Sequence, residues 1–416
     1  MKNEMKTYHL KNGLTLYFYP DKNKHSVLVN LIVPYGGMDS DFSAEKKDYH
    51  MPDGMAHFLE HYVLEEGNYG NLMNRFGAAF MIANGYTYSN RTHFFFDAVT
   101  EVESGLEWLI LGIHSVPFIS DKIEKTKHAI REEIRMGQDK KDRQIALAEL
   151  ENLFPNLPYR SIAGTISQID SISVETAALC YRAFYHPQNE FLVVAGNFDE
   201  DWMLQKIESL YDTLSFSDFT TEKKKNWDLE VMGEKKSVIQ MPTGTPITEL
   251  AFKINLKRWT KKELLRLDFY IHYFFRMNFS KLSPLYQTLV TKGIIKDHLI
   301  YGKKSVADYM ILTVGAYTEK ADDFMEQVLK FLKDPIFDEE IFDLELKDTA
   351  IDLLLRPEKL SSIVFPFVAN VIEFDSPYLD CLEDLKDFTF SDFTNRMREL
   401  SFDSYTVLFV EDVNDI

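Results

Sequence analysis

The chain has 416 residues, and its 65 acidic and 46 basic side chains give a formal net charge of −19. Apolar residues make up 45% of the sequence and aromatic residues 14%, which is enough for a large core and excludes a disordered or fibrous chain. Because a polyanion cannot release counterions from phosphates, the charge argues against a nucleic-acid partner and against binding to anionic membrane surfaces. At roughly 100–200 residues per domain, this length predicts about two to four globular units.

Cysteine content and the N-terminal segment indicate the compartment. Cys180 and Cys381 are too few for a disulfide scaffold and lack metal-binding spacing. The first residues contain no hydrophobic signal core, and the longest apolar run without charge, residues 108–120, is shorter than the roughly 20 residues that span a bilayer. We therefore expect a cytoplasmic protein without membrane insertion.

The first half alternates predicted strands with predicted helices. Asn12-Gly13, between two alternating runs, predicts a hairpin. The polar, lysine-rich residues 215–226 have no apolar periodicity, which predicts a linker. Further strands are predicted over residues 27–33, 92–99 and 189–195, and helices over 55–66, 71–76, 101–138 with a break at Pro117, and 200–211.

The second half repeats this plan of elements. This repeat predicts an α+β fold of two similar halves, each a mixed sheet with a layer of helices: an N-terminal domain over 1–220 that carries the chemistry, and a C-terminal domain over 221–416. The strands of the second half are predicted near 236–241, 248–256, 310–316 and 404–410, and the helices near 261–277, 283–292 and within 319–355.

The most informative string is GMAHFLEH, residues 54–61. On a helix His57 and His61 lie four positions apart on one face, about 6 Å from each other, so that both can bind one zinc ion. Glu60 is adjacent to that face and can reach a water molecule beside the metal rather than the metal itself. The spacing H-x-x-E-H is the inverzincin signature.

An accidental match is the alternative, with two surface histidines and a solvated glutamate on an amphipathic helix. The apolar residues around the motif argue against it, because they predict a partly buried cleft in which imidazoles and a carboxylate need partners. These neighbours are Met55, Ala56, Phe58, Leu59, Tyr62 and Val63.

A catalytic zinc ion needs a third protein ligand and an open position. The predicted helix over residues 128–136 supplies candidates in Glu132 and Glu133, and their spacing cannot choose between them. His128 is the next candidate, although an exposed helical histidine explains it as well.

The H-x-x-E-H motif and the later string AIREEI, residues 129–134, together resemble the insulinase, pitrilysin and mitochondrial processing peptidase family of zinc peptidases. Matching AIREEI to the family's V-I-x-x-E-I-like string places the third ligand at Glu133. The same resemblance extends, in the family's order, to LKNGL at 10–14, NGYT at 84–87, PY at 158–159 with GT at 164–165, and YHPQN at 185–189 before a strand at 191–196.

This resemblance implies a mechanism and a substrate site. His57, His61 and Glu133 would hold one Zn²⁺ per chain, and Glu60 would be the catalytic base that passes a proton to the leaving amine. An edge strand would bind the substrate backbone as an added strand, and the alternative for this segment is an ordinary hairpin edge. The strand residues are Ala83, Asn84, Gly85, Tyr86 and Thr87.

The sequence departs from the family pattern at two places. The second carboxylate that many members carry seven positions before the ligand glutamate is Thr126 here, which leaves Glu124 as a substitute. In the second half, Val290 stands where the family has an arginine, and Lys296 or Asp297 where it has a tyrosine.

These departures, together with the half-size length, imply one half of a clam-shell chamber. We expect a heterodimer with a metal-free paralogue that supplies the arginine and tyrosine, with a homodimer as the alternative. The expected function is a zinc endopeptidase that cleaves short or unfolded peptides, in the maturation of a leader or signalling peptide. General peptide scavenging is the nearest alternative. A non-catalytic structural or peptide-binding subunit is disfavoured because the motif is intact.

Overall fold

The computed structural model describes residues 4–138, 140–157, 161–216, 221–224, 227–377 and 384–413, and within them two large sheets are packed with helices. The strands are β1 (Lys6–His9), β2 (Thr15–Pro20), β3 (Val27–Val33), β4 (Asp41–Ala44), β5 (Lys47–His50), β6 (Ile82–Thr87), β7 (Thr92–Ala98), β8 (Phe191–Gly196), β9 (Thr221–Lys223), β10 (Lys236–Met241), β11 (Ile247–Asn255), β12 (Ile300–Val306), β13 (Tyr309–Tyr317) and β14 (Tyr405–Asp412).

The helices are α1 (Met55–Glu65), α2 (Leu72–Ala78), α3 (Val102–His114), α4 (Ser120–Gln138), α5 (Lys141–Leu153), α6 (Ile166–Ser171), α7 (Val174–Phe184), α8 (Glu200–Asp212), α9 (Lys261–Phe279), α10 (Pro284–Thr291), α11 (Ala321–Leu332), α12 (Glu339–Leu355), α13 (Ser361–Phe374) and α14 (Phe390–Arg398). The α+β class predicted from the sequence is therefore confirmed.

The first sheet has the strand order β1-β2-β8-β3-β7-β6. Every residue of β3 and β8 is buried, because helices cover both faces of these central strands. The predicted hairpin is confirmed between β1 and β2, where Gly13 turns the chain with a φ of +95°. β6 is the edge strand and pairs with β7 alone among the described residues.

The second sheet, β10-β14-β11-β13-β12, repeats the order of β2-β8-β3-β7-β6. The first pair is parallel in both sheets and the other pairs are antiparallel. The two similar halves expected from the sequence are therefore present as a topological repeat. The division at residues 220 and 221 stays a prediction.

Each half also covers the sheet of the other half with one helix. α5 packs against β10, β11 and β14 of the second sheet, and α13 packs against β3 and β8 of the first. Lys253 of β11 adds a direct link, since its buried ammonium group donates to the carbonyl oxygens of Leu153 at 2.8 Å and Val231 at 2.9 Å. The predicted elements included neither α5 nor α13.

The linker prediction over residues 215–226 is wrong for Thr221–Lys223, which forms β9. This strand pairs with β4 in a small sheet, β5-β4-β9, and the Lys223 ammonium donates to Asp39 at 2.9 Å. A long-range ion pair thus orders a segment that lacks apolar periodicity. Residues 217–220, 225 and 226 of the same stretch lie outside the described residues.

Two compartment-related features can be followed in the structure. Cys180 is buried in the first core, whereas Cys381 lies outside the described residues. Among the helices described, none combines the length and the apolar character needed to cross a bilayer.

Candidate active site

Helix α1 presents both histidines of the motif on one face because its other face is buried. The helix begins after Gly54, which has a φ of +88°, and a Cβ there would lie 2.6 Å from the carbonyl oxygen of Ala163. Only glycine fits such a close approach at a positive φ. The buried face fixes the rotation of the helix and consists of Phe58, Leu59, Tyr62 and Val63.

Helix α4 brings Glu133 to the two histidines. Within the described residues, one donor atom from each of His57, His61 and Glu133 lies within 4.8 Å of the other two. His57 Nε2 is 3.1 Å and His61 Nε2 3.5 Å from Glu133 Oε2. Donor atoms bound to a tetrahedral zinc ion at roughly 2.1 Å stand about 3.4 Å apart. Two imidazoles and a carboxylate at these distances fit a zinc ion in both chemistry and spacing.

The electrostatics of this cluster indicate a site that attracts a cation. Burial lowers the pKa of His61, but hydrogen bonds to Glu133 and Glu65 outweigh burial and raise it to about 10. Burial likewise opposes the charge on His57, whose pKa is nevertheless raised by its hydrogen bonds to Glu133 and Glu60. The same hydrogen bonds from the two imidazoles lower the pKa of Glu133 well below its usual range. Metal binding replaces such protons, because metal ligands must be deprotonated.

Glu60 lies beside the cluster of His57, His61 and Glu133 and outside it. Its buried carboxylate accepts a hydrogen bond at Oε2 from Thr87 Oγ1 at 2.7 Å and another from His57 Nδ1 at 3.3 Å. The glutamate is therefore held between His57 and strand β6. This is the position from which a carboxylate can exchange protons with groups at the cluster.

Strand β6 contains the predicted substrate segment. Asn84, Gly85, Tyr86 and Thr87 line the cavity that holds the histidines, whereas Ala83 packs against the first core. A Cβ on Gly85 would lie 2.7 Å from both Glu60 Oε1 and Leu64 Cδ1, so the absence of a side chain lets the strand approach α1. The edge of a sheet thus runs directly past the ligand cluster.

The candidates that the sequence left open lie at different distances from the two histidines. Glu133 joins the cluster, whereas Glu132 pairs with Arg135 on another face of α4 and His128 is exposed outside the cluster. Glu124 pairs with Lys127 and Arg131 and does not reach the histidines. The motif residues Pro158 and Tyr159 lie outside the described residues.

Three further residues contribute to the site and were missed from the sequence. Glu65 Oε1 lies 3.7 Å from His61 Nδ1, and its position four residues after His61 was a usable signal for a shared helix face. Arg143 and Lys304 line the same cavity, of about 560 Å³, as the two histidines and Glu133. No sequence pattern could join these two to the motif, because their positions depend on how α5 and β12 pack.

Known proteins resemble this chain in sequence and in fold. A profile of the family described as "Peptidase M16 inactive domain" matches residues 171–345. This stretch contains none of the candidate site residues His57, Glu60, His61 and Glu133. The "Uncharacterized zinc protease YmfH" of Bacillus subtilis is 28% identical over 331 residues, covering 78% of this chain and 77% of YmfH.

Solved structures extend the likeness over nearly the whole chain. A putative M16-like peptidase from Alicyclobacillus acidocaldarius superposes with a TM-score of 0.88 at 25% identity, covering 99% of this chain and 98% of that one. A protease from Helicobacter pylori gives a TM-score of 0.79 at 16% identity, covering 98% and 99%. In fold, the chain is therefore similar to M16-like peptidases over nearly its whole length. The resemblance to the family of insulinase, pitrilysin and mitochondrial processing peptidase that the motifs predicted is confirmed by these comparisons.

Proposed function

We propose that this chain is a zinc-dependent endopeptidase that holds one zinc ion through His57, His61 and Glu133. The observation that carries the proposal is the convergence of these three donors beside the buried carboxylate of Glu60. The relative named a zinc protease, YmfH, supports the choice of metal. When bound, zinc would polarise the scissile carbonyl group and favour ionisation of water.

Glu60 is the residue proposed to move the proton. Its Oε2 would accept a proton from the water that attacks the carbonyl carbon, and would then deliver that proton to the amine nitrogen as the C–N bond breaks. The hydrogen bond from Thr87 orients the carboxylate and ties it to the strand that would bind the substrate. A substrate held on that strand is therefore aligned with the proton acceptor.

Strand β6 is proposed to bind the substrate as an added antiparallel or parallel strand. Its free edge offers backbone donors and acceptors, and these read the backbone rather than the side chains of a peptide. Short or unfolded peptides can present such a backbone, whereas folded proteins have already paired theirs. Sequence preference would then come from the walls of the cavity.

The proposed assembly is a heterodimer with a metal-free chain of the same fold. Val290 ends up half-exposed on α10, and Lys296 and Asp297 are exposed, so these positions do not supply an arginine and a tyrosine. A partner that contributes both would complete a closed chamber, and a homodimer is the alternative. We propose peptide maturation as the role, with general peptide scavenging as the second candidate and a non-catalytic binding subunit as the third.

The decisive experiment compares the wild type with Glu60→Gln, each alone and mixed with a metal-free paralogue. Zinc content would be measured by elemental analysis and cleavage by mass spectrometry of unstructured peptides. We expect one zinc ion in both proteins and a loss of about 10²–10⁴-fold in cleavage rate in the variant. Glu132→Gln, which alters an exposed carboxylate on the neighbouring helix, is the matched control and should retain its rate.

Two outcomes would contradict the proposal. If wild-type protein purified without chelators contained no zinc, the proposed metal site would be contradicted. The non-catalytic binding subunit would then be the favoured function. Equal cleavage by wild type and Glu60→Gln would show that the activity does not arise from this carboxylate.

A further inference from the structure

The cavity beside the metal ligands has a second wall that carries two basic side chains. Arg143 comes from the first turn of α5 and Lys304 from β12, the edge strand of the second sheet. Across the described part of the chain, neither cation has a carboxylate oxygen within 4 Å. Among the described residues neither charge is therefore neutralised by an ion pair, although the carboxyl group of Glu149 interacts with Lys304 from a greater distance.

Arg143 is held in place by contacts that leave most of its donors available. One nitrogen, Nη2, donates to Ser161 Oγ at 2.7 Å, and the guanidinium packs so closely on Gly137 that a Cβ there would clash with it. A guanidinium has five N–H donors in a planar fork, which matches the two oxygens of a carboxylate. The half-buried position of Arg143 limits the number of conformations that this fork can adopt.

Lys304 differs from its neighbour on the same strand. Lys303 donates to the carbonyl oxygen of Asp268 at 2.8 Å and pairs with the Asp268 carboxylate, on the opposite face of the sheet. Lys304 instead lines the cavity. Burial lowers the pKa of its ammonium group, and this effect outweighs the opposing effect of the Glu149 carboxyl group. A partly desolvated ammonium group gains more from an arriving anion than one in bulk water does.

We propose that Arg143 and Lys304 form a carboxylate-recognition subsite beside the metal ligands. Preferred peptides would present a carboxylate near the bond to be cleaved, either on an aspartate or glutamate side chain or at the C-terminus of the peptide. This preference is opposite to what the net charge of −19 alone suggests, because the local cations, and not the distant surface, contact the ligand. The inference rests on the proposed function, since it assigns a substrate class to the same cavity.

Peptide binding to the zinc-loaded, full-length Glu60→Gln protein tests the subsite without relying on cleavage. Fluorescent peptides of one sequence would carry either glutamate or glutamine at one position and end in either an acid or an amide, and fluorescence anisotropy would give their affinities. We expect Lys304→Met to weaken binding of the carboxylate-bearing peptides by about fivefold to tenfold and to leave the glutamine amide peptide unchanged. Lys303→Met is the matched control on the same strand.

The four peptides also separate the two sources of the carboxylate. A change from acid to amide that weakens binding assigns the subsite to the peptide C-terminus, and a change from glutamate to glutamine assigns it to a side chain. Lys304→Glu should reverse the preference in favour of a peptide with lysine at the same position, which a loss of packing would not do. Arg143→Gln should lower affinity for the same peptides as Lys304→Met.

Equal affinity of all four peptides for the parent protein would overturn the subsite, and so would an equal loss for all four in Lys304→Met. Neither result touches the proposed peptidase, which is tested by zinc content and by cleavage in the protein with Glu60 intact. Conversely, carboxylate-selective binding by a protein that cleaves no peptide would support the subsite and contradict the proposed peptidase activity.

Discussion

At the residue scale, His57, Glu60 and His61 lie together because about one turn of α1 separates the first from the last. The H-x-x-E-H spacing located His57, Glu60 and His61 because four residues make about one helical turn. The choice between Glu132 and Glu133 needed the family resemblance, since adjacent helical positions differ in direction by about 100° and only packing determines which of them faces α1. In the structure Glu133 faces the histidines and Glu132 faces Arg135.

This pair of neighbours allows a clean test of the ligand assignment. We expect Glu133→Gln to weaken zinc binding by more than about 100-fold, since even partners outside the ligand set change metal affinity by 10–100-fold. Glu132→Gln should bind zinc as the wild type does. Competition with a chromophoric chelator measures both affinities, and similar losses in the two variants would refute the assignment.

At the scale of elements, helices and strands were predicted correctly where one face of the element is apolar. They were missed where packing against other elements, and not hydrophobic periodicity, determines the secondary structure. The buried stripes of α1 and α9 gave clear helical periods. α5 places the polar residues Glu149 and Asn152 in its buried face, which hides its period. α13 contains Pro366, which is typical of a helix end, and β12 alternates poorly because Lys303, Lys304 and Ser305 are three consecutive polar residues.

Strand β6 offers an element-level prediction at Gly85. In Gly85→Ala the new methyl group would meet the Glu60 carboxylate and the end of Leu64, both of which can swing aside more easily than the backbone. We therefore expect a stable protein in which Glu60 is displaced and the cleavage rate falls by about tenfold to 100-fold. Rates and melting temperatures would be compared with those of Gly302→Ala.

Gly302 is a suitable control because it lies on the equivalent edge strand, β12, where an added Cβ meets nothing within 4 Å. It should therefore keep the wild-type rate. A Gly85→Ala protein with an unchanged rate would mean that the placement of Glu60 against the strand does not matter for the reaction.

At the scale of the whole molecule, the two halves meet around a pair of buried carboxyl groups. Glu149 of α5 and Glu249 of β11 contact each other, with Thr313 and Lys304 on neighbouring strands and Asp142 on the same helix as Glu149. Burial, together with the proximity of Glu249, raises the pKa of Glu149 above its ordinary value of 4.5. Burial raises the pKa of Glu249 as well.

The consequence is a stability that falls as the pH rises. Between the unfolded and folded pKa values the folded chain holds a proton that the unfolded chain releases, so this contribution is complete in acid and is lost towards alkaline pH. One such proton changes the free energy of unfolding by at most about 1.4 kcal/mol per pH unit. Glu149→Gln should reduce the loss of stability between about pH 6 and about pH 9, measured by urea unfolding.

Glu151→Gln serves as the comparison, since Glu151 is exposed on the same helix. Its unfolding free energy should follow that of the wild type at every pH. If Glu149→Gln also followed the wild type, the buried pair would not be the origin of the pH dependence.

The covering of each sheet by a helix of the other half also bears on how the protein is made. β8 completes the first sheet about 165 residues before α13 begins. At about 5–20 residues per second, a ribosome needs roughly 10–30 s to reach the helix that covers this sheet. Until then the apolar face that includes Tyr17, Leu28 and Val193 is exposed on the nascent chain. The growing N-terminal half therefore passes through a stage of biosynthesis at which an uncovered apolar sheet face can aggregate.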